Sequence, residues 1–405
     1  MENKVVIIGA GPAGLSAAIT LAEKNIAVIV IDEYLYPGGR LLGQLYEESP
    51  GKWWNGIVES KRLFERAKAL NVELLLQTSV SDLEKIEQEW IVHTNKGVFR
   101  TRQLLLATGA AESPFPIPGW TLPGVMSVGA AQVMTNVHRV KPGKRGVIIG
   151  VNVLSSAIAM ELQIAGVQVA AITLPAVNLL TKDSGNPIEV MNSLLHVSHM
   201  APSPLVKIGS KFMKNEFMKK LGITFYPKNG VKMWDIPIML RKAVVEIVGK
   251  DQVEGVVIAT VNTDGSIVPG SEKRIKADFV CIAGGLYPLA ELASLAGCPF
   301  HYIEQLGGFI PLHNEQMETN LDGLHVAGNI TGIEGAKVAL AQGKVAALTI
   351  AHKLGTSTTQ QEIQRAIEDV ETTRANAHIQ FHPEVLAGRQ QLKKIWEESF
   401  PQVTN

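Results

Sequence analysis

The chain opens on an almost unbroken apolar run, and the places where it is interrupted say what it is. Residues 4–9 are β-branched and nearly continuous, the pattern of a strand buried on both faces. Residues 12–24 then space Ala13, Ala17, Ala18 and Leu21 at helical intervals, and 26–31 read as a second buried strand. Strand, turn, helix and strand within about 30 residues make a βαβ unit, which implies a parallel sheet and a right-handed crossover. The run 5–22 follows Lys4 and imitates a secretory signal, but three glycines and a proline break it and a polar, charged segment follows at once. No other run approaches the ~18 uninterrupted apolar residues of a membrane span.

Further along, the spacing predicts a helix over 57–70, a strand over 72–78, a hairpin of 90–94 with 97–101 around Asn95 and Lys96, and a buried strand over 103–108. Pro114, Pro116, Pro118 and Pro123 forbid regular structure and mark an interdomain linker. A second strand–turn–helix–strand unit runs from 145 to 173. The stretch 174–222 is irregular, with helical patches at 190–195 and 211–221. Segments 244–248, 253–261 and 267–268 read as an antiparallel meander, with Asp264-Gly265 as a tight turn. A buried strand over 278–283, a short strand over 324–327 and a helix over 335–354 follow. From Thr358 onward, charged and apolar residues alternate as in two short surface helices.

The first turn carries the chemistry. Gly9, Gly11 and Gly14 form G-x-G-x-x-G between strand and helix. Gly9 makes the tight turn, Gly11 lets a pyrophosphate approach the backbone, and Gly14 lets the helix pack closely on the sheet. The helix start at Pro12 and Ala13 then aims free N–H groups and about half a positive charge at the phosphates. Asp32 ends the second strand, at the spacing where an acid accepts hydrogen bonds from an adenosine ribose, with Glu33 beside it. This fingerprint reads only an ADP moiety, so FAD, NAD and a free adenine nucleotide (ADP or ATP) all satisfy it.

The corresponding second turn is incomplete. Gly150 is present, but the second glycine position holds Asn152 and the third Ser155. Counting 23 residues from Gly150, as Asp32 is counted from Gly9, ends on Thr173, and no arginine pair replaces the acid. The second unit is expected to keep the fold without binding NAD(P) in the usual way, a tolerant NADH site being the alternative. The fold class is therefore α/β: two Rossmann-like dinucleotide-binding domains, the second inserted into the first, plus a short helical C-terminal tail. The expected boundaries are 1–113 with 278–355 for the first domain, 114–277 for the second and 356–405 for the tail.

Three later segments favour FAD in the first domain: Gly38-Gly39-Arg40 after the second strand, Ala107-Thr108-Gly109, and M-E-T-N-L-D-G-L-H-V-A-G-N ending in Gly328-Asn329. Here the sequence resembles the two-domain flavoproteins of the glutathione reductase and thioredoxin reductase superfamily. In that family an A-T-G segment and a late A-x-G-D border the flavin, and the acid hydrogen-bonds the ribityl chain. Asn329 stands in the acid's place. By this resemblance the candidate cofactor-binding positions are Gly9, Gly11, Pro12, Ala13, Gly14, Asp32, Glu33, Gly39, Arg40, Val80, Ala107, Thr108, Gly109, Gly328, Asn329 and Ala336.

The linker P-I-P-G-W-T-L-P-G-V-M-S-V-G-A-A-Q at 116–132 narrows the likeness. It is similar to the linker of the flavoprotein (alpha or A-type) subunits of heteromeric amine and amino-acid dehydrogenases, a group that includes opine oxidases, hydroxyproline dehydrogenases, sarcosine oxidases and hydrogen cyanide synthase. The resemblance implies an FAD-dependent oxidoreductase subunit that receives electrons from a partner FAD subunit of the D-amino-acid-oxidase type, which oxidises a small amine or amino acid; the alternatives are a stand-alone NAD(P)H-dependent flavin reductase of the ferredoxin or quinone type and a non-catalytic adenine-nucleotide-binding scaffold. Many such subunits carry cysteines near the C-terminus. This chain has none after Cys298, so any [2Fe–2S] centre is expected on a separate small protein, for which the tail is a candidate dock, an amphipathic tail packed on its own domain being the alternative.

Composition removes other classes. Lys+Arg and Asp+Glu are 38 each, and this balance offers neither nucleic acid nor an anionic membrane as the main partner. Two cysteines, Cys281 and Cys298, are too few for a disulfide framework or a cluster, and the default compartment is the reducing cytoplasm. Cys281 reads as core and Cys298 as nearer a loop. His196 with His199, and His378 with His382, have helical metal-clasping spacings but no completing carboxylate, so no metal site is expected. Trp53, Trp54 and Trp120 read as core packing. No catalytic residue is assigned.

Overall fold

The computed structural model describes residues 4–49, 51–196, 216–377 and 380–401. Contacts divide the chain into two units, Met1–Ala111 with Leu286–Asn405, and Glu112–Gly285.

The first unit is built on a five-stranded parallel sheet in the order Leu324–Val326, Leu104–Leu106, Val5–Ile8, Val28–Ile31, Glu73–Leu75. The three central strands are buried along their whole length, which is why their sequences are unbroken Val, Ile and Leu. The helix Pro12–Glu23 follows the first strand and packs on the long helix Ala336–Lys353. Gly343 makes that approach possible: a Cβ there would stand 2.1 Å from the Ala13 carbonyl oxygen. An antiparallel sheet of Val80–Ile86, Glu89–Thr94 and Gly97–Thr101 is the predicted hairpin extended by one strand.

The second unit holds an eight-stranded mixed sheet. Val125–Ser127, Phe279–Ile282, Arg145–Ile149, Gln168–Pro175 and Ile236–Val248 are parallel neighbours, Gly255–Thr260 and Lys273–Lys276 continue antiparallel, and Val231–Met233 pairs antiparallel with Ile236–Val248. Phe279–Ile282, which the sequence pattern groups with the first domain, thus takes its place in this sheet. The meander is present, but its third strand is Lys273–Lys276. Ile267 makes only an isolated bridge to Val261, and beyond it Ser271 Oγ, not a strand carbonyl, accepts the Thr260 N–H at 2.9 Å.

The tail is helical, as the alternation of charged and apolar residues predicts. Its helices are Gln360–Ala375 and Val385–Ser399, longer than that pattern suggests. Ile363, Ala366 and Val370 of the first join the same core as the two long helices, and Val385 and Leu392 of the second cover Ile303, Leu306 and Ile310. Thr359 and Glu362 close a capping box at the first helix. Arg374 and Arg389, one from each helix, converge on the buried carboxylate of Glu334. Burial works against that charge, but the two guanidinium groups hold the Glu334 carboxyl below its usual range.

Two of the three tryptophans are corrected as well, while Trp54 packs against the main core. Trp53 is 47% and Trp120 40% exposed, so neither is core. Trp54 lies on a hairpin, Leu45–Ser49 with Lys52–Asn55, that the apolar pattern does not predict; its Nε1–H donates to Gln44 Oε1 at 3.0 Å and the Lys337 ammonium sits over its ring. Cys281 is core. Cys298, read as nearer a loop, is buried too, and burial pushes its thiol up to about 11. His199 and His378 lie outside the described residues. Among the described residues no helix is long and apolar enough to cross a membrane, and no group of three metal-ligating side chains gathers.

Two outcomes follow from this packing. Ile363→Ala removes a fully buried side chain from the main core and should cost about 2–5 kcal/mol in urea denaturation of the first unit; a neutral result would mean that the tail helices are not part of it. Burial holds His313 down to about 3 and His325 down to about 4. The folded chain therefore refuses protons that the unfolded chain binds below about 6.5, and stability should be full above that pH and fall as pH drops toward about 4. In an NMR titration both imidazoles should still be neutral at about pH 5, where an exposed histidine is mostly protonated.

Candidate functional site

The apolar run Val5–Ile8 delivers the chain to Gly9, whose φ of +107° makes the turn. No side chain fits there, since a Cβ would lie 2.3 Å from the Ala107 carbonyl oxygen. The helix then starts at Pro12 behind an N-cap, Gly11, that supplies no side-chain acceptor. A Cβ built on Gly11 would meet nothing within 4 Å. The loop thus presents an uncapped helix N-terminus to open space, the arrangement that favours an anion.

The other segments close on this loop. Gly38 donates its N–H to Ala10 O at 2.7 Å, and a Cβ on Gly39 would come within 3.2 Å of Gly11 Cα. Asp32 Oδ2 accepts the Ala10 N–H at 2.6 Å and Oδ1 the Tyr34 N–H at 2.8 Å. Burial raises the Asp32 carboxyl above its ordinary value, and the two backbone donors pull against that. Each carboxylate oxygen keeps a lone pair for a ligand hydroxyl. Gly328, with φ +81°, lies against Ala13, so the late turn sits beside the same helix start.

The remaining candidates are spread around this centre. Thr108 Oγ1 donates to Leu289 O at 2.5 Å, and Gly109 faces open space. Arg40 Nε donates to Ala110 O at 3.0 Å. Asn329 Oδ1 accepts the Glu334 N–H at 3.3 Å. Ala336 opens the long helix behind Gly335, again with no side-chain cap. Glu33 is exposed, and Val80 packs against the cluster that includes Ile8 and Ile31.

One residue at the turn escapes the motif-based candidates. Gln342, fully buried, accepts from Gly328 N–H at 2.9 Å and Thr331 Oγ1 at 3.3 Å. Its one sequence signal is an amide inside an otherwise small and apolar helix face.

The second turn copies the first in framework and differs in its filling. Gly150, φ +110°, packs on Ala283 as Gly9 packs on Ala107, with the same 2.3 Å exclusion of a Cβ. Here the N-cap is Asn152. Its Oδ1 accepts the Ser155 N–H at 2.8 Å, its own N–H donates to Ser155 Oγ at 2.9 Å, and its Nδ2 donates to Ala283 O at 3.0 Å. This reciprocal capping box satisfies the N–H groups that a phosphate would take. Thr173, at the acid's position, is buried with an unpartnered hydroxyl.

The model of the pyridine nucleotide-disulphide oxidoreductase family matches residues 3–343. The chain is 30% identical over 359 residues to an A-type opine oxidase subunit of Rhizobium meliloti, covering 86% of this chain and 71% of that one. It is 28% identical over 360 residues to the corresponding opine oxidase subunit of Agrobacterium tumefaciens, covering 85% of this chain and 64% of that one. The crystal structure of L-proline dehydrogenase from P. horikoshii shares the fold, with a TM-score of 0.64 at 18% identity over 90% of this chain and 58% of that one. The chain belongs to the pyridine nucleotide-disulphide oxidoreductase family, a family of FAD-dependent oxidoreductases.

The filled turn makes its own prediction. Asn152→Ala should cost about 0.5–2 kcal/mol, the range for loss of an N-cap, read from the denaturation midpoint of the second unit. No loss would mean that the cap is not what closes this turn.

Proposed function

We propose that this chain is the flavin-holding subunit of a heteromeric amine or amino-acid dehydrogenase. The observation that carries the reading is the contrast between an open N-terminus at Gly11 and a self-capped one at Asn152. FAD lies across Gly9, Gly11, Pro12, Ala13 and Gly14, with its ADP ribose on Asp32 and Glu33 and its further length along Gly39, Arg40, Val80, Ala107, Thr108, Gly109, Gly328, Asn329 and Ala336. The residues fit such a group: open space beside Gly11, unclaimed helix N–H groups and a carboxylate with spare lone pairs. The bound isoalloxazine supplies the redox chemistry. The chain's own residues orient it and keep its phosphates on the helix start.

The first unit is the FAD domain and the second an NAD-binding-like domain that does not take NAD(P). Substrate oxidation belongs to a partner of the D-amino-acid-oxidase type, as the likeness to opine oxidase subunits supports. Electrons leave through an acceptor, for which a small [2Fe–2S] protein is the candidate. With two unpaired cysteines, the reducing cytoplasm is its compartment. Asn329 favours one second reading. Its amide oxygen already accepts from Glu334, and the usual anionic acceptor is gone, so an ADP or ATP held by the same loop without turnover is the alternative.

Gly11→Asn tests the reading by writing the second turn into the first. The apoprotein should keep its thermal midpoint, since the space is open, while co-purifying flavin falls about tenfold or more. Retained flavin would overturn the assignment, and nucleotide without flavin in the wild-type chain would select the alternative. Amine-dependent bleaching should require the partner subunit. Rapid bleaching of the chain alone by NADH would restore the second turn as a working site.

A further inference from the structure

The balanced charge of the whole chain hides an uneven split. Glu112–Gly285 holds 18 Lys+Arg against 12 Asp+Glu, and the rest of the chain 20 against 26. An asymmetry of this kind points to an interaction surface. Residues 197–215 contribute Lys207, Lys211 and Lys214 and no acid, so they add to the excess.

Part of that excess gathers on the second unit's mixed sheet. Lys242 lies opposite Thr260, and Ile258, two residues from Thr260, lies opposite Lys273. Lys242 and Lys273 therefore share a face across three strands. Lys242 Nζ donates to Thr260 Oγ1 at 2.7 Å and Arg241 Nη1 to Thr224 O at 2.8 Å, which holds both cations in place. Burial lowers the Lys242 ammonium below the usual lysine range, and the charges that act on it, those of Lys273, Arg241 and Lys228, are all positive. Among the described residues none of these four cations forms an ion pair. The next cation along, Arg274, is paired with Glu254 at 3.0 Å.

Four like charges held together without a carboxylate repel one another, and an anion from outside relieves that repulsion. Two strand spacings, about 9–10 Å, separate the strands of Lys242 and Lys273, wider than one small anion spans. Beside them Phe225, which follows the Thr224 that takes Arg241, is 76% exposed. Arginine with an exposed aromatic is the anchor chemistry of protein interfaces.

We propose that this face docks an acidic partner protein, whose carboxylates meet Lys228, Arg241, Lys242 and Lys273 while an apolar side chain covers Phe225. That the anion is a protein's rests on reading this chain as one subunit of a heteromeric enzyme; the basic face does not.

The test is fluorescence anisotropy of labelled polyglutamate titrated with the full chain, as purified, at low salt. Binding should saturate, and should weaken as salt rises. Lys228→Glu with Lys273→Glu should weaken it about tenfold or more, with circular dichroism unchanged because both side chains are exposed. Lys61→Glu with Lys68→Glu, the same change in net charge on the helix Gly56–Ala69, should leave it within about twofold. A glutamate–tyrosine copolymer should bind more tightly than polyglutamate, and Phe225→Ser should remove that gain. No saturable binding, equal losses in the two double variants, or a copolymer that binds no better than polyglutamate would each overturn the proposal. So would tighter binding of double-stranded DNA or phosphatidylserine vesicles than of either polypeptide, or a self-association of the chain that Lys228→Glu with Lys273→Glu abolishes. Flavin absorbance of the same preparations reads the cofactor assignment separately: a chain without flavin that binds polyglutamate fails that assignment and supports this one, and a flavin-bound chain that ignores polyglutamate does the reverse.

Discussion

A helix that begins behind a glycine turn leaves its first N–H groups without intrahelical acceptors, and something must satisfy them. This chain meets that requirement twice, in two ways. Behind Gly9 the acceptor is left to come from outside: Gly11 offers no side chain and the space beside it is open. Behind Gly150 the acceptor is built in, as Asn152 and Ser155 cap each other and the Asn152 amide reaches the Ala283 carbonyl. A Cβ at either Gly9 or Gly150 would meet the neighbouring strand's carbonyl oxygen at the same 2.3 Å. The turns are one piece of backbone geometry with different fillings, and the difference lies in the end of the helix, not in the sheet.

The open turn is held from several directions. Asp32 ties Ala10 from the second strand, Gly38 ties it from the following loop, and Gln342 fixes Gly328 from the long helix. The loop that follows Gly328 is in turn fixed by the tail, because Arg389 donates to Thr331 O at 2.7 Å and shares Glu334 with Arg374. A buried ion cluster of this kind gives little net stability, since desolvation offsets most of the attraction. Its effect is to admit one geometry: Glu334 precedes the N-cap Gly335, so the cluster sets where the long helix starts. The tail helices are thereby structural parts of the turn's surroundings.

Sequence periodicity recovers what depends on local pattern. The buried strands Val5–Ile8, Val28–Ile31 and Leu104–Leu106, the helix behind Gly11 and the hairpin at Asn95 all lie where apolar spacing and turn residues put them. The loss of glycine at 152 is equally visible as a loss. What periodicity misses is set by distant partners. Asn152 as a cap depends on Ser155 and Ala283 together, and Ala283 is 131 residues away. The tail reads as amphipathic, but Arg374 is a polar residue on a charged helix until Glu334 is brought to it from 40 residues back. Trp54 packs against the main core as its large indole suggests, but the hairpin that brings it to its partners Lys337 and Gln44 is one that the apolar pattern does not show. Cys298 sits near a loop in sequence and under the first sheet in space.

A self-capped turn stabilises a nucleotide-binding architecture whether or not a ligand occupies it. A helix N-terminus that waits for a phosphate is only fully satisfied when the phosphate is present, so an empty cradle is a standing cost. An N-cap side chain removes that cost for about 1 kcal/mol of stabilisation and, in the same step, occupies the donors on which an anion would depend. Asn152 and Ser155 therefore satisfy two N–H groups at the second unit's helix start from within the chain. At Gly11 the helix start has no capping side chain and open space lies beside it, so its donors stay available to an acceptor from solution.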